Sequence, residues 1–432
     1  MNMKKMFFAI MLILSCLSWT TEKKNNELKI AVLSDIHIMA PQLLQGDGDA
    51  IKNYIKRDRK LLQESVALLN QAIDSIIQEH PDVVLIPGDL TKDGEYVSHI
   101  LTADTLLKRF RDEGIAVYVI PGNHDVNNPH AAIYYGDSAS RTRTVSRGEF
   151  AEIYLDYGYG KALARDTASL TYVVQLTSDT RLLAIDACRY DENVYVKNRC
   201  VTGGRIKPAT EEFIRRQAED AKRNGCRMIA MMHHGLVRHW KWQDKVMGDY
   251  IVADWEQHAA SMAKVGIRIV FTGHFHANDI SEYVSWTDKI YDIETGSTVS
   301  YPMPYRMVTL HDGEASVDTR YVKHLPGIMS ESELESKARQ YASSSISAIV
   351  SGMLPKKVPA TVRQEVATTL AKAYMAHLAG DERMPEDYPA ELKRACKSLR
   401  RYSWKYAYAL DKLGHYLYKD LGVDDNKVTI EW

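Results

Sequence analysis

The stretch Ile115-Ala116-Val117-Tyr118-Val119-Ile120-Pro121-Gly122-Asn123-His124-Asp125 decides how this chain is read. A short unbroken apolar run closed by Pro-Gly is the pattern of a strand buried on both faces. The turn that follows delivers an amide, an imidazole and a carboxylate to the strand's end. Alone, such an ending reads as a turn or a helix cap. The pattern recurs, however. Leu28 to Leu33 runs into Ser34-Asp35-Ile36-His37, Val83 to Ile86 into Pro87-Gly88-Asp89, Arg227 to Met232 into His233-His234-Gly235, and Ile267 to Phe271 into Gly273-His274-Phe275-His276. Layered α/β proteins gather their sites at the carboxyl ends of strands. Asp35, His37, Asp89, Asn123, His233, His274 and His276 would then bring two carboxylates, one amide and four imidazoles to one sheet edge. These are more donors than one small divalent ion usually takes from protein, so the sequence predicts a two-metal site.

Outward from these motifs the pattern alternates between β-rich runs and amphipathic helices, the mark of an α/β domain. Leu62, Val66, Leu69, Ile73 and Ile76 recur every three or four residues and predict a helix laid on the sheet. Leu170 to Leu176 and Leu182 to Ile185 flank Ser178-Asp179-Thr180 as a hairpin, and strand-like runs continue at Lys289 to Ile293, Tyr305 to Leu310 and Ala315 to Tyr321. Beyond Leu325 the period turns helical over Ser330 to Met353, Pro359 to Leu378 and Pro389 to Leu421. The expected organisation is an N-terminal signal over 1–20, an α/β domain over 27–323 and a helical C-terminal region over 324–432. Tyr402, Trp404, Tyr406, Tyr408, Tyr416 and Tyr418 form an aromatic stripe read as packing.

The chain has 432 residues, 45% hydrophobic, with 55 Lys+Arg against 56 Asp+Glu. That is globular composition, and the balanced charge argues against a broad basic surface for nucleic acid. Lys4 and Lys5 precede the apolar run Met6 to Leu14 and then Ser15-Cys16, which reads as an export signal. Ile13 to Cys16 also resembles a bacterial lipobox, so Cys16 is a candidate lipid anchor beside simple cleavage. The expected location is exported, periplasmic or membrane-anchored. Cys188, Cys200, Cys226 and Cys396 have no metal-type spacing and read mostly as buried or free thiols. His80, His239, His258 and His415 read as scattered, solvent-facing residues.

In their order, the motifs D-x-H, G-D, G-N-H-D, a histidine after a later strand and G-H-x-H resemble those of the calcineurin-like metallophosphoesterases. The resemblance covers about Leu28 to Leu310 and implies a four-layer αββα sandwich. It also implies that Asp35, His37, Asp89 and His276 hold one metal and Asp89, Asn123, His233 and His274 the other, with Asp89 bridging. A carboxylate can span ions about 3.5 to 4 Å apart, and two cations sharing a water lower its pKa enough to give a hydroxide that attacks phosphorus. His124 would protonate the leaving oxygen, with Asp125 orienting its ring. Manganese, iron, zinc and cobalt all suit such donors.

Thr91-Lys92-Asp93-Gly94-Glu95 resembles the branch that includes exported bacterial phosphodiesterases. The expected activity is therefore hydrolysis of a small phosphodiester, of cyclic-nucleotide or glycerophosphodiester type. Phosphomonoesterase or nucleotide pyrophosphatase is the alternative, and a non-catalytic surface binding lipoprotein the rival of another class. Candidate substrate contacts are His234, Arg141 and Arg143 in the long excursion after Val126, and Tyr301 and Arg306 in a turn-rich stretch. For His234 a structural hydrogen bond is an equal reading.

Overall fold

Alternation along the strands explains the layers. In a computed structural model, which describes residues 27–46, 48–55, 58–380, 382–419 and 421–432, Leu182, Ala184, Ile229, Met231, Ile269 and Phe271 join one apolar cluster. Their neighbours Leu183, Ile185, Met228, Ala230, Met232 and Val270 join another. Successive side chains of a strand point to opposite faces, so this sheet is buried on both sides. Its outer cluster is completed by Phe213, Ile214 and Ala218 of the helix Pro208–Arg223 and by Ala259, Met262 and Ala263 of the helix Trp255–Lys264. Its inner cluster is shared with Ile30, Val32, Val84, Ile86, Val117 and Val119 of a second sheet. Leu68, Leu69, Ala72, Ile73 and Ile76 of the helix Ser65–Gln78 belong to the same cluster. Helix, sheet, sheet, helix is the four-layer order expected.

The first sheet has six strands in the order Lys427–Glu431, Glu314–Tyr321, Pro304–His311, Leu28–Val32, Val83–Ile86 and Ala116–Val119. The last three run parallel and the first three are added antiparallel. The second sheet has seven, in the order Asp279–Val284, Lys289–Glu294, Ile269–Thr272, Arg227–Met232, Thr180–Ile185, Tyr172–Gln175 and Ala164–Arg165. The four central strands are parallel. All five motif-bearing strands lie inside these sheets, so their carboxyl ends meet at one edge.

Four helices follow the sandwich, at Glu331–Met353, Ala360–Leu378, Tyr388–Arg400 and Trp404–Tyr416. The period read as continuous from Pro389 to Leu421 is broken where Ser403 turns extended and its hydroxyl caps the last helix at Tyr406. That helix buries Ala407, Leu410 and Gly414. Trp404, Tyr406 and Tyr408 are exposed, though the Tyr408 ring lies 6.1 Å from that of Trp242, so only part of the aromatic stripe packs. Tyr416 packs on Trp242, and Tyr418 on Tyr388. The region is not wholly helical: Lys427–Glu431 returns and pairs along Glu314–Tyr321, burying Ile430. Among the described residues no helix is long and apolar enough to cross a membrane, and Cys188, Cys200, Cys226 and Cys396 are free thiols. The export signal and Cys16 lie outside the described residues.

Candidate metal centre

Asp89 sits between two donor groups. Its Oδ2 is 3.5 Å from His37 Nε2 and 3.5 Å from His233 Nε2. On the first side, His276 Nε2 stands 3.4 Å from His37 Nε2 and 3.2 Å from Asp35 Oδ1. On the second, Asn123 Oδ1 lies 3.1 Å from His233 Nε2, and His274 completes a group with Asp89 and His233. All seven predicted residues therefore converge, in two groups joined by one carboxylate.

The backbone is bent to achieve this. Asp35, His37, Asp89, His274 and His276 all have positive φ, between 37° and 77°. Non-glycine residues occupy that region at a cost of order 1–3 kcal/mol each, and such strain clusters at functional sites. The left-handed residues turn the chain sharply off each strand end and aim consecutive side chains back at the edge. Glycine makes room: a Cβ on Gly122 would lie 2.1 Å from Asp89 Oδ1. Such a contact cannot be relieved without moving the shared carboxylate.

Hydrogen bonds set the orientation of the donors. His233 Nδ1 donates to Pro87 O at 2.9 Å, which turns Nε2 toward Asp89. Asp35 Oδ2 accepts from Ser34 Oγ and His274 N, while Asp35 Oδ1 is buried without a hydrogen-bond partner. His37 Nε2 and His276 Nε2 face one another across 3.4 Å. Burial depresses the proton affinity of His37, His274 and His276. Burial works against ionised Asp89, but His233, His124 and His37 hold its carboxyl well below the usual range. Burial lowers His233 too, but Asp89 and Asp35 hold it up at about 9, so an ion bound there displaces its Nε2 proton. With three neutral imidazoles, ionised Asp89 and an orphaned oxygen, the residues fit a dinuclear centre.

His124 stands beside this group, with Nε2 4.0 Å from Asp89 Oδ2. Its side chain is 26% exposed, whereas that of Asp89 is 2% exposed, so it faces the open side. Its orienting partner is not the predicted one. His124 Nδ1 bonds Asp93 Oδ1 at 2.9 Å, and Asp93 is in turn paired with Lys92, whose Nζ also lies 2.9 Å from Glu95 Oε1. Asp125 instead accepts from the backbone of Leu90, Thr91 and Gly122 and from Thr91 Oγ1. Burial, with Asp89 adding, pushes its carboxyl up to about 6 against those bonds. Asp125 thus ties two site loops together, and Asp93 steadies the ring. Asp93 was visible in the sequence, within the stretch read only as a branch marker.

Burial alone would lower the proton affinity of His124, but Asp89 and Asp93 together raise it above the ordinary histidine value. An acid with a raised pKa keeps its proton to higher pH. Asp93→Asn removes part of that support, so the alkaline limb of kcat should move to lower pH. Asp125→Asn should leave that limb in place while loosening the loop. A pH-rate profile of the two variants checks this, and equal movement of both limbs defeats the assignment.

The predicted substrate contacts separate. His234 is buried, with Nε2 donating to Thr202 O at 2.9 Å and its ring 4.5 Å from that of His274. This is the structural alternative. Arg141 bonds Tyr195 O and Asn198 Oδ1 on a rim that reaches His124 through His130 and Asn128. Arg143 turns to solvent over Tyr96 and pairs with Glu149. Tyr301 lines a different cavity with Met303 and Arg339. Arg306 is fully buried, bonded to Glu294 O, Thr319 Oγ1 and Asp425 O, and cannot meet a substrate.

Lys60 was missed. After burial, which is the larger influence, its ammonium further lowers the proton affinity of His37 and His276. Its own partner is Asp58, at 3.4 Å. The signal was the dense run Lys56-Arg57-Asp58-Arg59-Lys60. His239 and His258, read as solvent-facing, are both buried.

The family model described as calcineurin-like phosphoesterase matches residues 28–278. No curated protein matches the chain. Among solved structures, a dimetal phosphatase from Danio rerio aligns with a TM-score of 0.50 at 13% identity, covering 68% of this chain and 96% of that one. A purple acid phosphatase from yellow lupin (Lupinus luteus) seeds aligns with a TM-score of 0.42 at 11% identity, covering 69% and 52%. At these identities the first likeness shows the fold.

Proposed function

The chain belongs to the calcineurin-like phosphoesterases, and from that premise we propose that this dinuclear metal-dependent phosphohydrolase acts on a small phosphodiester. The ions would be held by Asp35, His37, Asp89 and His276 on one side and by Asp89, Asn123, His233 and His274 on the other. When bound, such ions acidify water and neutralise phosphoryl oxygens. The observation that carries the reading is Asp89, equidistant from His37 and His233, with a partly exposed imidazole beside it.

The residues divide the remaining work. His124, held protonated by Asp89 and Asp93, donates its Nε2 proton to the departing oxygen, and Lys92 keeps Asp93 ionised against its burial. Gly122 lets the Asn123-His124 turn approach Asp89.

Charge favours the diester. A phosphomonoester carries about −1.5 to −2 near pH 7, a diester a single charge. Of the cationic side chains considered for the substrate, Arg143 turns away, Arg141 is bonded to Tyr195 and Asn198, and Arg306 is buried. The one protonated imidazole beside the two donor groups, His124, suits the smaller charge. Hydrolysis of bis(p-nitrophenyl) phosphate beside p-nitrophenyl phosphate, with chelator and then manganese re-addition, tests this. We expect chelator-sensitive turnover favouring the diester. Monoester preference would overturn the substrate class, and metal-loaded protein inactive on both would overturn the enzyme reading.

A further inference from the structure

Asp279 and Glu294 are direct cross-strand partners in the second sheet, at the start of Asp279–Val284 and the end of Lys289–Glu294. Both side chains are 1% exposed. Two acids opposite one another repel, and burial pushes Glu294 up to about 7, so the pair is relieved by a proton or by a nearby cation. Two histidines approach them. His239, from the loop after Arg227–Met232, has Nε2 3.1 Å from Glu294 Oε2 and Nδ1 3.8 Å from Asp279 Oδ2. His377, in the last turn of Ala360–Leu378, has its ring centroid 5.6 Å from that of His239.

The polar atoms of this cluster converge, with His239 Nε2 facing Glu294 Oε2 at 3.1 Å. His239 Nδ1 and Nε2, Asp279 Oδ2, Glu294 Oε2 and His377 Nε2 are all buried without an aligned hydrogen bond. One donor atom each from His239, Asp279 and His377 lies within 4.8 Å of the others. A tetrahedral ion holding such atoms at about 2.1 Å sets them roughly 3.4 Å apart, so small side-chain movements close the shell. The outer contacts are those of metal ligands. His377 Nδ1 bonds Glu382 Oε1 at 2.6 Å, which leaves Nε2 as the inward lone pair, and Ser281 Oγ holds Asp279 Oδ1, which leaves Oδ2. Burial lowers His377 to about 3, so that lone pair stays unprotonated. Glu382 also lines a cavity of about 710 Å³.

We propose that His239, Asp279 and His377 bind a further divalent ion of the zinc class, separate from the Asp89 centre, with Glu294 balancing its charge. Imidazole with carboxylate is a donor set that zinc accepts. The ion fastens the C-terminal helices to the sandwich, because His377 belongs to the former and His239 and Asp279 to the latter. It lies against Phe275, whose ring is 5.5 Å from both His239 and His377 and whose neighbours are His274 and His276. The competing arrangement has a proton in place of the metal: burial lowers His239, but Asp279 and Glu294 hold it at about 10 as an imidazolium.

Metal stoichiometry separates the two. The full chain, stripped with chelator and dialysed against zinc, should retain about three equivalents by mass spectrometry. His377→Gln should retain about two, with diester hydrolysis within roughly twofold of the parent and a lower melting temperature. Two equivalents in the parent, or an unchanged count in His377→Gln, overturns the proposal. If that variant does not fold, anomalous diffraction at the zinc edge from parent crystals decides. A peak among His239, Asp279 and His377 supports the ion, and ordered side chains without one exclude it. Asp89→Asn leaves this third equivalent in place, so failure here is distinguishable from failure of the catalytic reading.

Discussion

Asp89→Asn should abolish turnover and lower metal content together. The carboxylate serves both donor groups at once, with one oxygen 3.5 Å from His37 and from His233 and the other accepting from the backbone of His124. An amide preserves the shape but offers one neutral oxygen. The loss should be on the order of a thousandfold in kcat, about 4 kcal/mol of transition-state stabilisation. Excess manganese should recover only part of it. The measurement is turnover beside metal content of the same preparation. A variant with full metal and near-parent activity would mean that Asp89 is not the shared ligand.

His124→Ala should separate the two readouts. Its ring is outside the two donor groups and a quarter exposed, so metal content should match the parent while kcat falls by about 10²–10⁴. The fall should depend on the leaving group. An alkoxide needs a proton as it departs, whereas p-nitrophenolate leaves with little help, so the defect should be larger for an alkyl phosphodiester than for the chromogenic one. A defect equal for both would move His124 from proton donor to electrostatic support.

The donor groups were legible because each motif follows an apolar run whose end is fixed by Pro-Gly, Ser-Asp or Gly-His, so sequence order alone places the residues at one sheet edge. The partner of His124 was not. Asp125 is adjacent in sequence, but the turn at Gly122 folds its carboxylate back on the Leu90 and Thr91 amides. Asp93, thirty-one positions away, occupies the space near Nδ1. His239 and Arg306 escaped for a related reason. A local reading assigns both to solvent or substrate, yet each is met by groups distant in sequence, His239 by the Glu294 carboxylate and Arg306 by the backbone carbonyls of Glu294 and Asp425. Pattern reading finds what a strand delivers at its end. It does not find which long-range neighbours absorb a charge.

The pairing of Lys427–Glu431 with Glu314–Tyr321 bears on how the protein is made. Strands carrying Asp35, Asp89 and Asn123 emerge from the ribosome early, yet the outer edge of their sheet stays open until the chain has grown from Tyr321 to Lys427–Glu431. Until then Glu314–Tyr321 presents unpaired amides and carbonyls, the template for intermolecular strand addition. The C-terminal helices are thus the interval during which a chaperone has most to protect, and a ribosome stalled within them would release a sandwich complete at its catalytic edge but open to aggregation on the far side.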